Sequence, residues 1–401
     1  MAFRFKLSLL LSLFLLVLVG CNVAQRTPTS IELSYDPNQP LTVGSEVDFD
    51  FSVDTVPSSE PFAIIVLPDT QYYSQKYPDI YLSQTQWIVD HHEKLNVAFV
   101  SHVGDIVQHD DQFEEQWVLA DQAMGMLDGV VPYGVLPGNH DMQLDGTAIL
   151  YNEYFPAARF EEYEWWGGSI SGNKNNYQLF SAGMEEFLIL HMQYCPTDEA
   201  VAWAQGVLEE HPDRRGIVTT HAYIETKGYR LPNCKKNSDG KNNAINLWQK
   251  MVAPYDNVEL VLSGHIPGVG QRTDTVRNRT IYQLMADYQG MEEGGSGYLR
   301  IMRFYPLEDL IRIETYSPYL DAYMRDAENE FELRYELADM GLLQGEVTIS
   351  AGEESCTATV REGVCTLTLN SAEIASVQAE YLGLGIFAPS STEVRVEVAG
   401  E

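Results

Sequence analysis

Short apolar runs punctuate the middle of the chain, and each stops at polar residues. Phe62 to Leu67 runs into Pro68-Asp69-Thr70-Gln71, and Val97 to Val100 into Ser101-His102-Val103-Gly104-Asp105. Val130 to Leu136 leads to Pro137-Gly138-Asn139-His140-Asp141, Gly216 to Thr220 leads to His221, and Val258 to Leu262 leads to Ser263-Gly264-His265. Bounded apolar runs of this length predict strands buried on both faces. A strand end is a rigid place, so a polar side chain just past it can be held in a fixed position. Asn, His and Asp are not strand formers, and Gly, Asn and Asp also make ordinary turns. The repetition of the pattern at five strand ends is what sets it apart from turn chemistry.

Between the runs lie segments with helical spacing. Tyr81 to Lys94 places Trp87 and Ile88 on one side, and Gln112 to Leu127 carries Phe113, Trp117 and Met124. Ala200 to Leu208 and Asn243 to Val252 read the same way. Strands alternating with helices predict an α/β layered core with its site at the carboxyl ends of the strands. Gly345 to Val398 differs: short β runs alternate with turns, at Val347-Thr348-Ile349, Cys356 to Val360, Val364 to Leu369, Val377 to Tyr381 and Val394-Arg395-Val396. That pattern predicts an all-β module.

Asp69-Thr70-Gln71, Gly104-Asp105, Gly138-Asn139-His140-Asp141, His221 and Gly264-His265 resemble, in order, the sequence blocks of the calcineurin-like metallophosphoesterases. Pro68-Asp69-Thr70-Gln71 and Ala286-Asp287-Tyr288-Gln289 resemble a bacterial branch of that superfamily. The resemblance spans roughly Pro61 to Tyr319. It implies a four-layer αββα sandwich with a dinuclear centre at its edge, where hydroxide held by the metals attacks a small phosphate ester. By resemblance Asp105 bridges the two divalent ions, Asp69 and Gln71 complete the first site, and Asn139, His221 and His265 hold the second. His140 protonates the leaving oxygen, with Asp141 orienting its ring.

The chain departs from the family pattern twice. Gln71 stands where a His is usual, and Pro267 replaces the second His of a Gly-His-x-His block. Both losses fall on the first metal, leaving it oxygen ligands only. Such a site favours Mn, Mg or Ca over Zn, whereas the His221/His265 site suits Mn, Fe, Zn or Ni. The centre is expected to be asymmetric, with one tight ion and one weak or exchangeable one. Asp274, Asp287 and His109 are all candidates for a substitute ligand, and the sequence does not choose among them. His191 is expected to pack in the core, and His91 and His92 to lie on the surface. The aromatic stretches Tyr72-Tyr73 with Tyr77, and Trp165-Trp166, are expected to form hydrophobic clusters rather than a substrate pocket.

The chain ends add location and a second domain. Arg4 and Lys6 precede the apolar run Leu7 to Val19, and Leu18-Val19-Gly20-Cys21 resembles a bacterial lipobox. The expectation is a signal peptide over 1–20 and a mature protein exported and tethered through lipidated Cys21. Cys195, Cys234, Cys356 and Cys365 then remain, an even number for an oxidising compartment, and pairing as Cys195 with Cys234 and Cys356 with Cys365 is plausible. With 58 acidic against 25 basic residues, a formal charge of −33 repels polyanions and argues against a nucleic-acid partner. The carboxyl-terminal module resembles the later strands of a bacterial Ig-like repeat, and Thr29 to Val53 resembles the missing first strands. One Ig-like sandwich (21–57 plus 343–401) split by insertion of the catalytic domain (58–342) is therefore expected, because chain ends lying close together make insertion cheap. The rival to an exported phosphoesterase is a cell-surface binding or adhesion lipoprotein on a catalytically impaired scaffold.

Overall fold

The computed structural model describes residues 29–55, 60–183, 185–234, 239–337, 345–360, 362–383 and 388–400. The expected signal peptide and Cys21 lie outside the described residues. Among them, two seven-stranded sheets form the middle of the molecule. In the first, Phe62–Leu67 pairs in parallel with Val97–His102 and antiparallel with Leu299–Tyr305, which continues into Leu310–Ser317. In the second, Glu185–Met192, Arg215–Thr220, Val258–Ser263 and Arg279–Asp287 run parallel side by side.

Three apolar cores separate the layers. Phe62, Ile64, Val66 and Phe99 of the first sheet meet Phe187, Ile189, Ile217 and Leu260 of the second. Phe62 stacks on Phe304 with ring centroids 4.6 Å apart and meets Phe187 edge-on at 5.8 Å. Truncating a Phe packed this way costs about 3–5 kcal/mol. Alternate residues of the same strands, Ala63, Ile65, Leu67 and Val100, face helices instead, against Tyr81, Ile88, Trp117 and Met124. On the far side Leu188, Leu190, Val218 and Val261 pack against Val201, Ala204, Leu247 and Met251. The order is helices, sheet, sheet, helices.

Local chemistry accounts for the helices. Pro78–Leu95 begins with Pro at its first turn beside Asp79, buries Ile80, Tyr81, Gln84, Thr85 and Ile88 along one face, and stops at Asn96 in the left-handed region. Asp198–Glu210 is capped by Thr197, whose hydroxyl accepts from Ala200 N at 3.1 Å. The run Val130 to Leu136 is the one strand that largely fails to form: Tyr133–Gly134 alone pairs, with Val100 and Ser101. Pro132 inside the run and Pro137 directly after it have no N–H to give a ladder.

The chain ends build separate sheets. Thr29–Tyr35 pairs with Glu46–Thr55, which pairs in turn with Val364–Thr368, setting Val47 opposite Leu367. A four-stranded sheet of Glu354–Thr359, Glu346–Ala351, Ser376–Tyr381 and Ser390–Arg395 shares a core with it, in which Ile31, Val47 and Phe49 join Val347, Ile349, Val377 and Tyr381. Disulfides join Cys195 to Cys234 and Cys356 to Cys365. Among the described residues no helix is long and apolar enough to cross a membrane.

Candidate metal centre

Phe62–Leu67 and Val97–His102 of the first sheet, and Arg215–Thr220, Val258–Ser263 and Arg279–Asp287 of the second, run parallel within their sheets, and the polar residues at their carboxyl ends converge. The tightest group is Asp105, His221 and His265, whose ligand atoms all lie within 4.8 Å of one another. His221 Nε2 is 3.2 Å from Asp105 Oδ2, 3.2 Å from Asn139 Oδ1 and 3.0 Å from His265 Nδ1. His221 Nδ1 lies 3.1 Å from the carbonyl of Val103. A carbonyl only accepts, so Nδ1 carries the proton and Nε2 turns its lone pair to the cluster, the tautomer a metal ligand needs.

The backbone is bent to bring these groups so close. Asp105 and His265 have φ of +50° and +75°, and neither is a glycine. Such conformations cost about 1–3 kcal/mol each and persist where the surroundings enforce them. The neighbouring glycines leave no room for an alternative. A Cβ on Gly138 would sit 2.1 Å from Asp105 Oδ1, and one on Gly264 would sit 2.1 Å from Asp69 Oδ1.

Asp69 and Gln71 stand beside this cluster rather than in it. Both oxygens of Asp69 accept from the backbone N–H of His265 at 3.2 Å, so the carboxylate is tied to the loop that carries the imidazole. Gln71 opens the helix Gln71–Lys76; its amide N–H donates to Gln289 Oε1, while its own Oε1 is buried without a hydrogen-bond partner. Gln289 also donates to Asp287 Oδ2 at 2.7 Å and reaches Asp69 Oδ2 at 3.5 Å.

His140 is half-buried at the rim. Its backbone N–H donates to Asp105 Oδ1 at 2.8 Å and its Nδ1 faces the carbonyl of Gln108 at 3.0 Å. The role expected for Asp141 is therefore corrected: it does not orient this ring. Its carboxylate is buried, and accepts from the backbone N–H groups of Ile106, Val107 and Gly138 at 3.0, 2.9 and 2.8 Å. Three amides converging from two loops saturate it, and they clamp the Asp105 loop to the Gly138 loop. The orienting partner of His140 is the Gln108 carbonyl, which side-chain motifs do not register.

Charge in the site is unbalanced. Among the described residues no Lys or Arg forms an ion pair with Asp69, Asp105, Asp141 or Asp287. Burial, then the charges of Asp287 and Asp105, hold the Asp69 carboxyl well above the ordinary range. Burial likewise carries Asp141 up to about 7 and Asp287 to about 6, with Asp105 adding to both. Asp105 goes the other way: burial raises it, but His221 outweighs this and sets it at about 2. Against burial, Asp105 in turn raises the His221 pKa, so in the metal-free chain a proton on His221 Nε2 stands where a cation would take its place. Buried carboxylates without cationic partners call for bound cations. The orphaned Gln71 Oε1, the inward lone pair of His221 and this negative cluster fit divalent ions.

Two further histidines near the site are structural. His102 hydrogen-bonds Thr70 Oγ1 at 3.0 Å and Gly104 N at 3.1 Å, and burial lowers its pKa to about 3. His191 contacts Ser101 Oγ at 3.0 Å and packs near Phe99, in the core as expected. Tyr194 stands 5.5 Å from the His265 ring and 5.9 Å from the His221 ring, one residue before the Cys195–Cys234 bridge. Trp165 and Trp166 are taken up by Phe160, Tyr163 and Tyr133 in a local cluster. Sequence reading named Asp287 but could not select it, and it missed the roles of Gln289 and Tyr194. The Arg279–Asp287 strand repeats the signal used elsewhere, since apolar residues 284–286 end in Asp287.

Residues 62–268 match the calcineurin-like phosphoesterase family. The chain belongs to that family. It is 38% identical over 274 residues to YvnB, an uncharacterized protein of Bacillus subtilis (strain 168), covering 66% of this chain and 20% of that protein. The chain thus corresponds to about a fifth of that relative. Among solved structures it is similar to a dimetal phosphatase from Danio rerio, at 14% identity and a TM-score of 0.45 over 70% of this chain and 100% of that one. It is also similar to GAP50, the anchor in the inner membrane complex of Plasmodium, at 10% identity and a TM-score of 0.41 over 70% and 92%.

Proposed function

We propose that the protein hydrolyses phosphate mono- or diesters at this centre, with Asp105, Asn139, His221 and His265 holding one divalent ion and Asp69, Gln71 and Asp105 a second. The observation that carries the reading is the convergence of Asp105, Asn139 and His265 on His221 Nε2, with His140 fixed beside them. Bound ions supply the positive charge and Lewis acidity that a phosphoryl centre needs. The rest of the work falls to the chain's own groups. Gln108 keeps the His140 ring in place through Nδ1–H, so Nε2 of the imidazolium is the atom that gives a proton to the departing alkoxide. Asp141 keeps the Asp105 and Gly138 loops in register so that His140 meets the ester at a fixed distance. A binder has no use for a leaving-group acid.

The test is turnover of phosphate mono- and diesters by full-length protein, with added Mn and with chelator. Chelation should abolish activity and Mn restore it. H140A should lose about 10²–10⁴-fold on alkyl esters, which need the acid, and less on nitrophenyl esters. Absence of metal-dependent turnover on every ester would overturn the reading in favour of a cell-surface binding protein.

Two disulfides suit an oxidising compartment, which supports an exported protein tethered by its amino-terminal segment. The pairing of Val47 with Leu367 supports an Ig-like unit whose strands flank the inserted catalytic domain. The substrate is a small ester, since a net charge of −33 disfavours approach of a polyanion.

A further inference from the structure

The oxygen-rich half of the centre contains a carboxylate that the reading above leaves without a task. Of the three candidates for a substitute ligand, two are engaged elsewhere. Asp274 is held by Arg230, by Arg272 and by Gln283. His109 faces the Gln116 amide and packs on Phe113. Asp287 differs from both. It is wholly buried at the carboxyl end of Arg279–Asp287, whose Met285 pairs in parallel with Ser263, two residues before His265. The antiparallel register on its other side sets Asp287 opposite Gly268, directly after Pro267.

Asp287 is thus delivered beside the proline by strand pairing, and Gln289 joins it to the other oxygen donors. Gln289 N and Nε2 donate to Asp287 Oδ1 and Oδ2 at 2.8 and 2.7 Å, the same Nε2 reaches Asp69, and Gln289 Oε1 accepts from Gln71. One neutral amide serves two buried carboxylates that no Lys or Arg pairs with among the described residues. The adjoining Gln71 Oε1 is buried and unbonded. A buried network satisfied only in part is unfavourable unless something cationic completes it.

We infer that Asp287 is a direct ligand of the second cation, completing an all-oxygen site with Asp69, Gln71 and Asp105, and that Gln289 is the positioning residue that aims Asp287 and Gln71. Oxygen donors alone select a hard divalent ion such as Mn, Mg or Ca. The inference builds on the proposed dinuclear phosphoesterase centre, and its test reads binding rather than turnover.

Chelator-stripped full-length protein is titrated with Mn by calorimetry and by the electron paramagnetic resonance of free Mn. Wild type should bind two equivalents. D287N should keep one at unchanged affinity, which also reports that it folds, and weaken the other by more than tenfold. Q289A should weaken the same equivalent by about 10–100-fold, the effect of losing a ligand's support. H265A should weaken the opposite one. Anomalous diffraction from Mn-soaked wild-type crystals decides independently of any variant: an ion coordinated by Asp287 supports the inference. A second ion bound without Asp287, a D287N protein that binds both equivalents as wild type does, or a wild type that binds only one would overturn it. Two ions with Asp287 ligated but no ester turnover would leave this site standing and fault the activity instead.

Discussion

The two halves of the centre are made in the same way, from side chains just past parallel strands, yet they present different chemistry. On one side imidazoles of His221 and His265 stand with Asn139 around Asp105, and the ligand atoms are already drawn together. On the other, Asp69, Gln71, Asp287 and Gln289 offer oxygens and amides linked by hydrogen bonds among themselves. The first half is organised by backbone: Val103 fixes the tautomer of His221, and strained φ angles fix Asp105 and His265. The second is organised by one amide, Gln289, which ties Asp287, Asp69 and Gln71 together, and a cation has to share these oxygens with it. A prearranged imidazole site should hold its ion tightly, and a site that has to break hydrogen bonds to bind should hold its ion loosely.

The most damaging single change to this contrast is at the shared residue. D105N should lose both ions and lower turnover by about a thousandfold, since several kcal/mol of charge stabilisation go with them. Metal analysis of the purified variant checks it; a variant that keeps both ions would show that Asp105 is not shared. Next comes graded chelation. Limiting chelator should remove one equivalent of Mn while the other stays, the retained ion giving the signature of imidazole nitrogen by pulsed magnetic resonance. Loss of both in a single step would erase the distinction between the halves.

A pH series sharpens it further. Asp287 and Asp141 titrate at about 6 and about 7 in the folded protein against an ordinary 3.8, and Asp69 is raised too. Folding the metal-free chain therefore takes up protons. The stability that these groups contribute is full below 3.8 and is lost as pH rises through 6 to 7. A bound cation replaces the protons on Asp287 and Asp69, so the increase in Tm on adding Mn should grow between about pH 5 and 8. A Tm increment that does not change with pH would sink this account of the carboxylates. The smallest effect expected on the centre comes from the disulfide. C195S/C234S should cost about 4 kcal/mol of stability on chain-entropy grounds for a separation of 39 residues. It should loosen Tyr194 against His265, weakening the imidazole-side ion by a few-fold and leaving the other unchanged.

Much of the layered core was legible because its strands are apolar on both faces. Phe62–Leu67, Val97–His102, Arg215–Thr220 and Val258–Ser263 fall where unbroken runs placed them. Val130 to Leu136 was not legible in the same way, since Pro132 within it and Pro137 after it remove ladder donors whatever its hydropathy. The convergence of Asp69, Asp105, Asn139, His221 and His265 at one edge follows the strand ends. The task of Asp141 was misread because its partners are backbone amides, and backbone amides are present at every position of a sequence.

Sequence alone determined which residues carry donor atoms and that they sit at strand ends, because hydrophobic periodicity and residue type are local properties. It also set the two departures, Gln71 and Pro267, from which an oxygen-only half follows. Only the tertiary structure decided that Asp287, rather than Asp274 or His109, lies beside Pro267, and that Gln289 reaches Gln71 from 218 positions away. Strand register and a hydrogen bond across two sheets decide such neighbours, and neither is encoded in the spacing of residues along the chain.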